Sequence, residues 1–250
     1  LLQPVGKSLG LMTDIDGGGR AFERFITRNP YSQRWSLGVQ RELPLNSMLR
    51  ASYIGSHTVR LMINRDYNAV PLQHLSTSPV RDQAKIDWMA ANVPSPFRGV
   101  DGVTGGLFTG TTMSRGQLLR PYPHYGSFSM GEPVGYATYH ALQVDFDRRF
   151  AQGFDFGGAY TFSKAMEASS FLNGGDAMPY YQISGNDRTH LFNVRSIVHL
   201  PVGKGRKFGG SWRGAVNHLL GGWQIETLLR IQGGAPMSFG QFVLKPGKRL

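Results

Sequence analysis

The chain is 250 residues long, with a formal net charge of +11, 33 Gly, 14 Pro, no Cys, 12% aromatic and 17% charged residues. That many rings among so few charges exclude a disordered chain, and the lack of Cys excludes a disulfide scaffold, a thiolate metal site and a cysteine nucleophile. No window of about 18 successive apolar residues exists, which excludes a helical membrane span.

The opening Leu1-Leu2-Gln3-Pro4 has no basic-then-apolar run of a signal peptide, and the closing Lys245-Pro246-Gly247-Lys248-Arg249-Leu250 does not read as a finished element. Both ends predict a piece of a longer protein. Asp14-Ile15-Asp16-Gly17-Gly18-Gly19 starts like a calcium loop, but Gly18 and Phe25 stand where ligating side chains are needed. A solvated Gly-rich turn is expected there.

From residue 31 onward the pattern has the strand period. Over 31–43, Tyr31, Trp35, Leu37 and Val39 oppose Ser32, Arg34, Ser36 and Gln40. Over 48–57, Leu49, Ala51, Tyr53 and Gly55 oppose Arg50 and Ser52. After a long loop, 63–137, the segment 139–150 sets Leu142, Val144 and Phe146 against Gln143, Asp145, Asp147 and Arg149. Strands are expected again over 154–163, 191–200 and 223–232, the last with Ile225, Leu229 and Ile231 against Gln224, Glu226 and Arg230. Pro44-Leu45-Asn46-Ser47 and Ala151-Gln152-Gly153 are tight turns, while 63–137 and 164–188 are long. The connection 201–222 is long where a tight turn is due, and Val216–Leu220 followed by Gly221-Gly222 predicts a short interfacial helix on the turn side.

Strands of about 9–11 residues, short turns alternating with long loops, and aromatics at strand ends (Tyr31, Trp35, Tyr53, Tyr139, Phe154, Phe162, Trp223) predict an all-β, antiparallel transmembrane barrel segment. The long connections of such a segment would be extracellular loops. A one-residue slip in 139–150 would place Asp145, Asp147 and Arg149 in lipid, so the observed parity is favoured. A soluble sandwich, such as a carbohydrate-binding module, produces the same alternation with its apolar side turned inward. A passive porin or adhesin barrel shares the architecture.

The segment Asn29-Pro30-Tyr31-Ser32-Gln33-Arg34-Trp35-Ser36-Leu37-Gly38-Val39-Gln40-Arg41-Glu42-Leu43, followed by Ser52-Tyr53-Ile54-Gly55-Ser56-His57, resembles the barrel of Oar-like TonB-dependent outer-membrane receptors. So do Gln117–Pro123, Tyr139–Gln143, Tyr160–Ala165, Leu200–Gly205 and Leu219–Gln224, in that order. The resemblance implies a larger barrel, of which the six strands are part of the wall, in a protein that binds a ligand at the surface and admits it to the periplasm. Its partners would be outer-membrane lipid, an N-terminal plug domain and the TonB complex. Signal peptide, TonB box, plug and a terminal aromatic strand are not seen in this sequence.

No catalytic motif holds, so no enzyme activity, cofactor or metal is expected. Gly203-Lys204-Gly205-Arg206-Lys207 lacks the phosphate-loop spacing, and the His residues are scattered. Asp145 and Asp147 share a strand face about 7 Å apart, and Arg149 beside them argues for an ion network rather than acid–base chemistry. The basic residues Lys204, Arg206, Lys207 and Arg213 form one loop rather than a stripe with stacking rings, so nucleic acid is not an expected partner. Two residue sets carry the expected function. Lumen-facing polar residues are Arg34, Arg50, Gln143, Asp145, Asp147, Arg149, Arg195, Gln224, Glu226 and Arg230. Extracellular loop rings for a sugar, peptide or chelate ligand are Trp88, Phe97, Tyr122, Tyr125, Tyr180 and Tyr181.

Overall fold

The computed structural model describes residues 18–22, 28–99, 110–151 and 153–237. The Asp14–Gly17 part of the calcium-like loop and the C-terminal Lys245–Leu250 lie outside them. Alternating residues build one antiparallel wall, in the order β10-β9-β7-β6-β3-β2. Its strands are β2 (Tyr31–Leu43), β3 (Ser47–Asp66), β6 (Phe128–Ala151), β7 (Phe154–Ala168), β9 (His190–His199) and β10 (Gln224–Gln232). Short strands β1 (Arg20–Phe22) and β8 (Gln182–Ile183) attach to the upper ends of β6 and β7. β2 pairs only with β3, and β10 only with β9, so among the described residues the wall does not close on itself.

The two central strands are longer than the alternation predicts, and the loop expected over 63–137 is shorter, running from 67 to 127. β3 has 20 residues and β6 has 24. The reason is a bulge. Arg60 carries φ 61, the ladder shifts between Val59 and Leu61 and again before Met62, and the second shift falls beside Pro133. An extra residue inverts the parity beyond it, and a bulge is where a strand tolerates proline. With Gly131, Pro133 and Gly135, the upper half of β6 shows no usable alternation.

Nor is the loop structureless. It holds a 3-10 turn at Leu72–His74, helix α1 (Gln83–Ala90), the hairpin β4 (Asn92–Pro94) and β5 (Thr112–Ser114), and helix α2 (Arg115–Leu118). Asp82 caps α1 through the Lys85 N–H at 2.9 Å, and Ser114 caps α2 through the Gln117 N–H at 3.3 Å. Asn68 ties the loop to the rim. Its Nδ2 donates to the carbonyls of Tyr122, Tyr125 and Gly126 at 2.9, 3.3 and 2.7 Å, while its Oδ1 accepts from the Tyr122 N–H at 2.8 Å. It is fully buried.

At the opposite end the turns are tight. Leu45 and Asn46 both take positive φ, 64 and 57, which suits the twist of a hairpin. The predicted short helix forms as α3 (Gly214–Leu220) in the connection between β9 and β10.

Apolar residues on the wall are not pressed into a core. Buried hydrophobics among the described residues are Ile63, Met113, Ala141 and Ala168, while Leu37 is 74% and Val39 70% exposed. Leu142, Phe162, Phe192, Leu229 and Ile231 are exposed on the same side. No second sheet of the described residues covers them, which removes the soluble sandwich. From His140 to Ala151, at about 3.3 Å per residue and a tilt of about 40°, the backbone of β6 rises about 28 Å, close to the ~25 Å apolar band of an outer-membrane barrel.

Candidate functional site

Pairing register assigns the paired wall residues to two faces. On the apolar face, Val39, Ala51, Val144, Tyr160, Phe192 and Ile231 form one row across the strands. Rings mark its borders. Trp35 lies over Gly55, where a Cβ would sit 2.3 Å from the indole, so glycine there lets the ring lie flat. The hydroxyl of Tyr53 is hydrogen-bonded to His140 Nδ1 at 2.6 Å, and that of Tyr160 to His190 Nδ1 at 2.8 Å. Arg148, the one charge on this face of β6 below His140, stands near the turn with its guanidinium 5.5 Å from the Phe154 ring. Tyr139 departs from the expected aromatic border: it pairs with Ser56 and lies on the polar face, because its parity is that of Gln143 and Asp145.

On the polar face, one row reads Gln40, Arg50, Asp145, Ala159, Asn193 and Arg230. The next reads Glu42, Met48, Asp147, Gly157, Arg195 and Leu228. Arg34, Gln143, Gln224 and Glu226 fall on the same side by the same register. Arg149 borders a hollow of about 610 Å³ at the turn end, together with Asp147 and Glu42. All ten polar residues singled out from the sequence thus share one face.

They are not one cluster. Arg195 is the hub: its guanidinium reaches Asp147 at 2.9 Å and Asp155 at 3.3 Å, joining β9, β6 and β7. Gly157 makes that reach possible. A Cβ on it would lie 2.6 Å from Arg195 Nε and 3.0 Å from Asp147 Oδ1, in the path of the side chain crossing β7. A hollow of about 210 Å³ lies beside this pair, bordered by Asp145, Asn193 and Leu228. Gln224 donates to Glu226 at 3.0 Å, and Arg230 to Gln232 at 3.2 Å, as separate local contacts. Asp155 was absent from the residues expected to matter. Its parity matched, but only the register shows that it meets Arg195.

The six loop rings settle in three places. Phe97, Tyr122 and Tyr125 gather round His124, with centroids 6.2, 6.3 and 4.5 Å from it, and Phe128 completes the cluster. Trp88 stands apart on α1, with Lys85 Nζ and the Arg115 guanidinium each 4.6 Å from its ring. Tyr181 stacks on Tyr136 of the wall at 5.3 Å, and its hydroxyl is hydrogen-bonded to Thr138 at 2.6 Å. Tyr180 beside it is exposed.

A buried carboxylate holds the second long loop. Burial disfavours the charge on Asp187, but the Ala165 N–H at 2.6 Å, the Thr189 hydroxyl at 3.1 Å and the Lys164 ammonium at 3.3 Å outweigh that cost. Its pKa therefore lies below the ordinary carboxylate value. A depressed folded pKa stabilises above the unfolded value, about 3.9, and the contribution disappears as pH falls through the folded one. Acidification below about pH 4 is thus expected to loosen 184–189, read as faster exchange of the Ala165 amide. Asp187→Asn is expected to remove that pH dependence and to speed the exchange already at neutral pH.

A single twisted wall with one apolar side, one charged side, tight turns at one end and long loops at the other defines an outer-membrane β-barrel. The sequence matches the outer membrane beta barrel domain family over residues 4–247, and the chain belongs to that family. Its place is the outer membrane, with the wall in contact with lipid. No curated protein and no solved structure matches the sequence.

Proposed function

We propose that the chain is part of the wall of an Oar-like TonB-dependent receptor, which binds a sugar, peptide or metal chelate at the cell surface and admits it to the periplasm. The observation that carries this reading is the wall's polar face: among the described residues it is six strands wide, charged with both signs, and ends in two edges that do not pair with each other. A six-stranded barrel would join β2 to β10. Free edges instead suit a wider barrel, whose lumen is large enough to need a plug.

In this reading the Arg195–Asp147–Asp155 cluster and the hollow beside it meet the plug or the passing ligand, and Arg34, Arg50, Gln143, Asp145, Arg149, Gln224, Glu226 and Arg230 line the wet interior. Trp88, Phe97, Tyr122, Tyr125, Tyr180 and Tyr181 present rings to the ligand at the mouth, where stacking suits sugar faces and peptide side chains. The chain itself makes and breaks no bond.

The test uses cells carrying the full-length protein, supplied in turn with labelled oligosaccharides, oligopeptides and ferric chelates. Uptake of one class is expected, and it is expected to stop when TonB is deleted. Uptake that persists without TonB would make the protein a passive porin, and fractionation with the soluble proteins would overturn the barrel altogether.

A further inference from the structure

The connection between β9 and β10 is unlike the other turns at its end of the wall. Residues 201–222 contain no Asp or Glu, yet carry Lys204, Arg206, Lys207 and Arg213. None of these four makes an ion pair among the described residues, and no acidic residue within the connection offsets them. Uncompensated charge of one sign costs self-repulsion, so its retention calls for an anionic partner.

The connection is also folded rather than loose. Leu200 N–H donates to the Trp223 carbonyl at 2.9 Å and closes its neck. Gly203 N–H donates to Phe208 at 2.8 Å, and Lys204 N–H to Asn217 Oδ1 at 2.7 Å, which docks the basic arm on α3. Gly203, at φ 119, lets the arm come so near that a Cβ would lie 2.8 Å from Gly221 Cα. Between arm and helix a hollow of about 280 Å³ is lined by Lys204, Arg206, Asn217 and His218.

Greasy side chains accompany the charge. Val216, Leu219 and Leu220, at helical spacings of three and four, are 49, 70 and 53% exposed. Trp223 is 60% exposed, and its indole N–H donates to the Leu219 carbonyl at 2.8 Å. It precedes Ile225, with the same parity, on the lipid side of β10. The tight turns place this end at the periplasmic surface. Apolar side chains and a Trp beside a basic hollow at that depth match a headgroup–acyl boundary.

We propose that the β9–β10 connection is a binding site for an anionic phospholipid of the periplasmic leaflet. Its phosphate lies in the hollow against Lys204, Arg206 and His218, Lys207 and Arg213 add long-range attraction, and Leu219, Leu220 and Trp223 lie among the acyl chains. The site goes beyond the transport reading and does not depend on which ligand is carried.

The experiment reconstitutes the full-length protein in phosphatidylethanolamine–phosphatidylglycerol vesicles, extracts it gently, and quantifies retained lipid by native mass spectrometry. Parallel arms use vesicles of phosphatidylcholine alone and phosphatidylcholine vesicles with excess inorganic phosphate. Each basic group near an anionic surface strengthens attraction about fivefold. Wild type is therefore expected to retain phosphatidylglycerol at least about tenfold over phosphatidylcholine, less so in high salt. Lys204→Glu with Arg206→Glu and Lys207→Glu is expected to abolish the preference, and Arg81→Glu at the other end to leave it. The salt dependence of wild type supports or refutes the site even if the triple variant fails to fold. Equal retention of both lipids, a preference unchanged by the triple reversal, phosphate bound in place of lipid, or a periplasmic protein captured without lipid preference would each overturn the proposal.

Discussion

Arginine at Val144 is expected to cost the folded barrel about 2–4 kcal/mol, whereas arginine at Gln143, one residue away, is expected to cost about 1 kcal/mol or less. Val144 sits in the middle row of the apolar face, between Ala51 and Tyr160, on the side that faces lipid. A guanidinium there must either lose its water or pull a defect into the bilayer. Gln143 lies between Ser52 and Thr161 on the polar face, where an added cation stays wet. Reversible unfolding of each variant in lipid vesicles measures the difference. The contrast between adjacent positions cancels any general intolerance of the strand to Arg.

Removing Asn68 is expected to have an effect of similar size, confined to the extracellular crown. Asn68→Ala deletes four hydrogen bonds from one buried side chain and leaves the Tyr122 N–H and the carbonyls of Tyr122, Tyr125 and Gly126 to find other partners. Each buried group left unpaired costs about 1–3 kcal/mol, so loss of about 3 kcal/mol of local stability is expected. The same rim is held by Asp66, which accepts from the Asn68 and Phe128 N–H groups at 2.9 and 2.8 Å, and by Arg120, which donates to the Asn68 carbonyl at 3.1 Å. Limited proteolysis of intact cells is expected to cut the variant within 67–127 while the wall stays folded. Unchanged cleavage would show that the aromatic cluster around His124 holds the loop without Asn68.

Wall strands were legible in the sequence wherever alternation ran without interruption. The segment 139–150 is the clearest case: its apolar and charged parities fall on opposite faces, and Arg50 stands opposite Asp145 in register. Legibility ended at Arg60 and at Gly131-Glu132-Pro133, where a bulge and a residue without an N–H break the period although the chain remains extended. Local pattern carries face, but not partnership. Asp147, Asp155 and Arg195 each have the parity of the polar face, yet the contact of the two carboxylates with Arg195 depends on three strands being aligned and on Gly157 having no side chain. Asn68 was invisible for a different reason. A lone Asn in a long polar loop looks like any turn residue until the carbonyls it serves, more than fifty positions away, are folded onto it.

The most direct test of the account is the surroundings of Val144, Val198 and Leu229. The chain has no Cys, so single Cys variants can be spin-labelled one at a time in the vesicle-embedded protein. Val144, Val198 and Leu229 all lie on the apolar face, so each label is expected to collide freely with dissolved oxygen and hardly at all with a water-soluble nickel complex. Labels at Gln143 and Glu226 are expected to show the reverse. Immobile labels at Val144, Val198 and Leu229, shielded from both reagents, would mean that these side chains pack against protein, and the barrel account would be wrong.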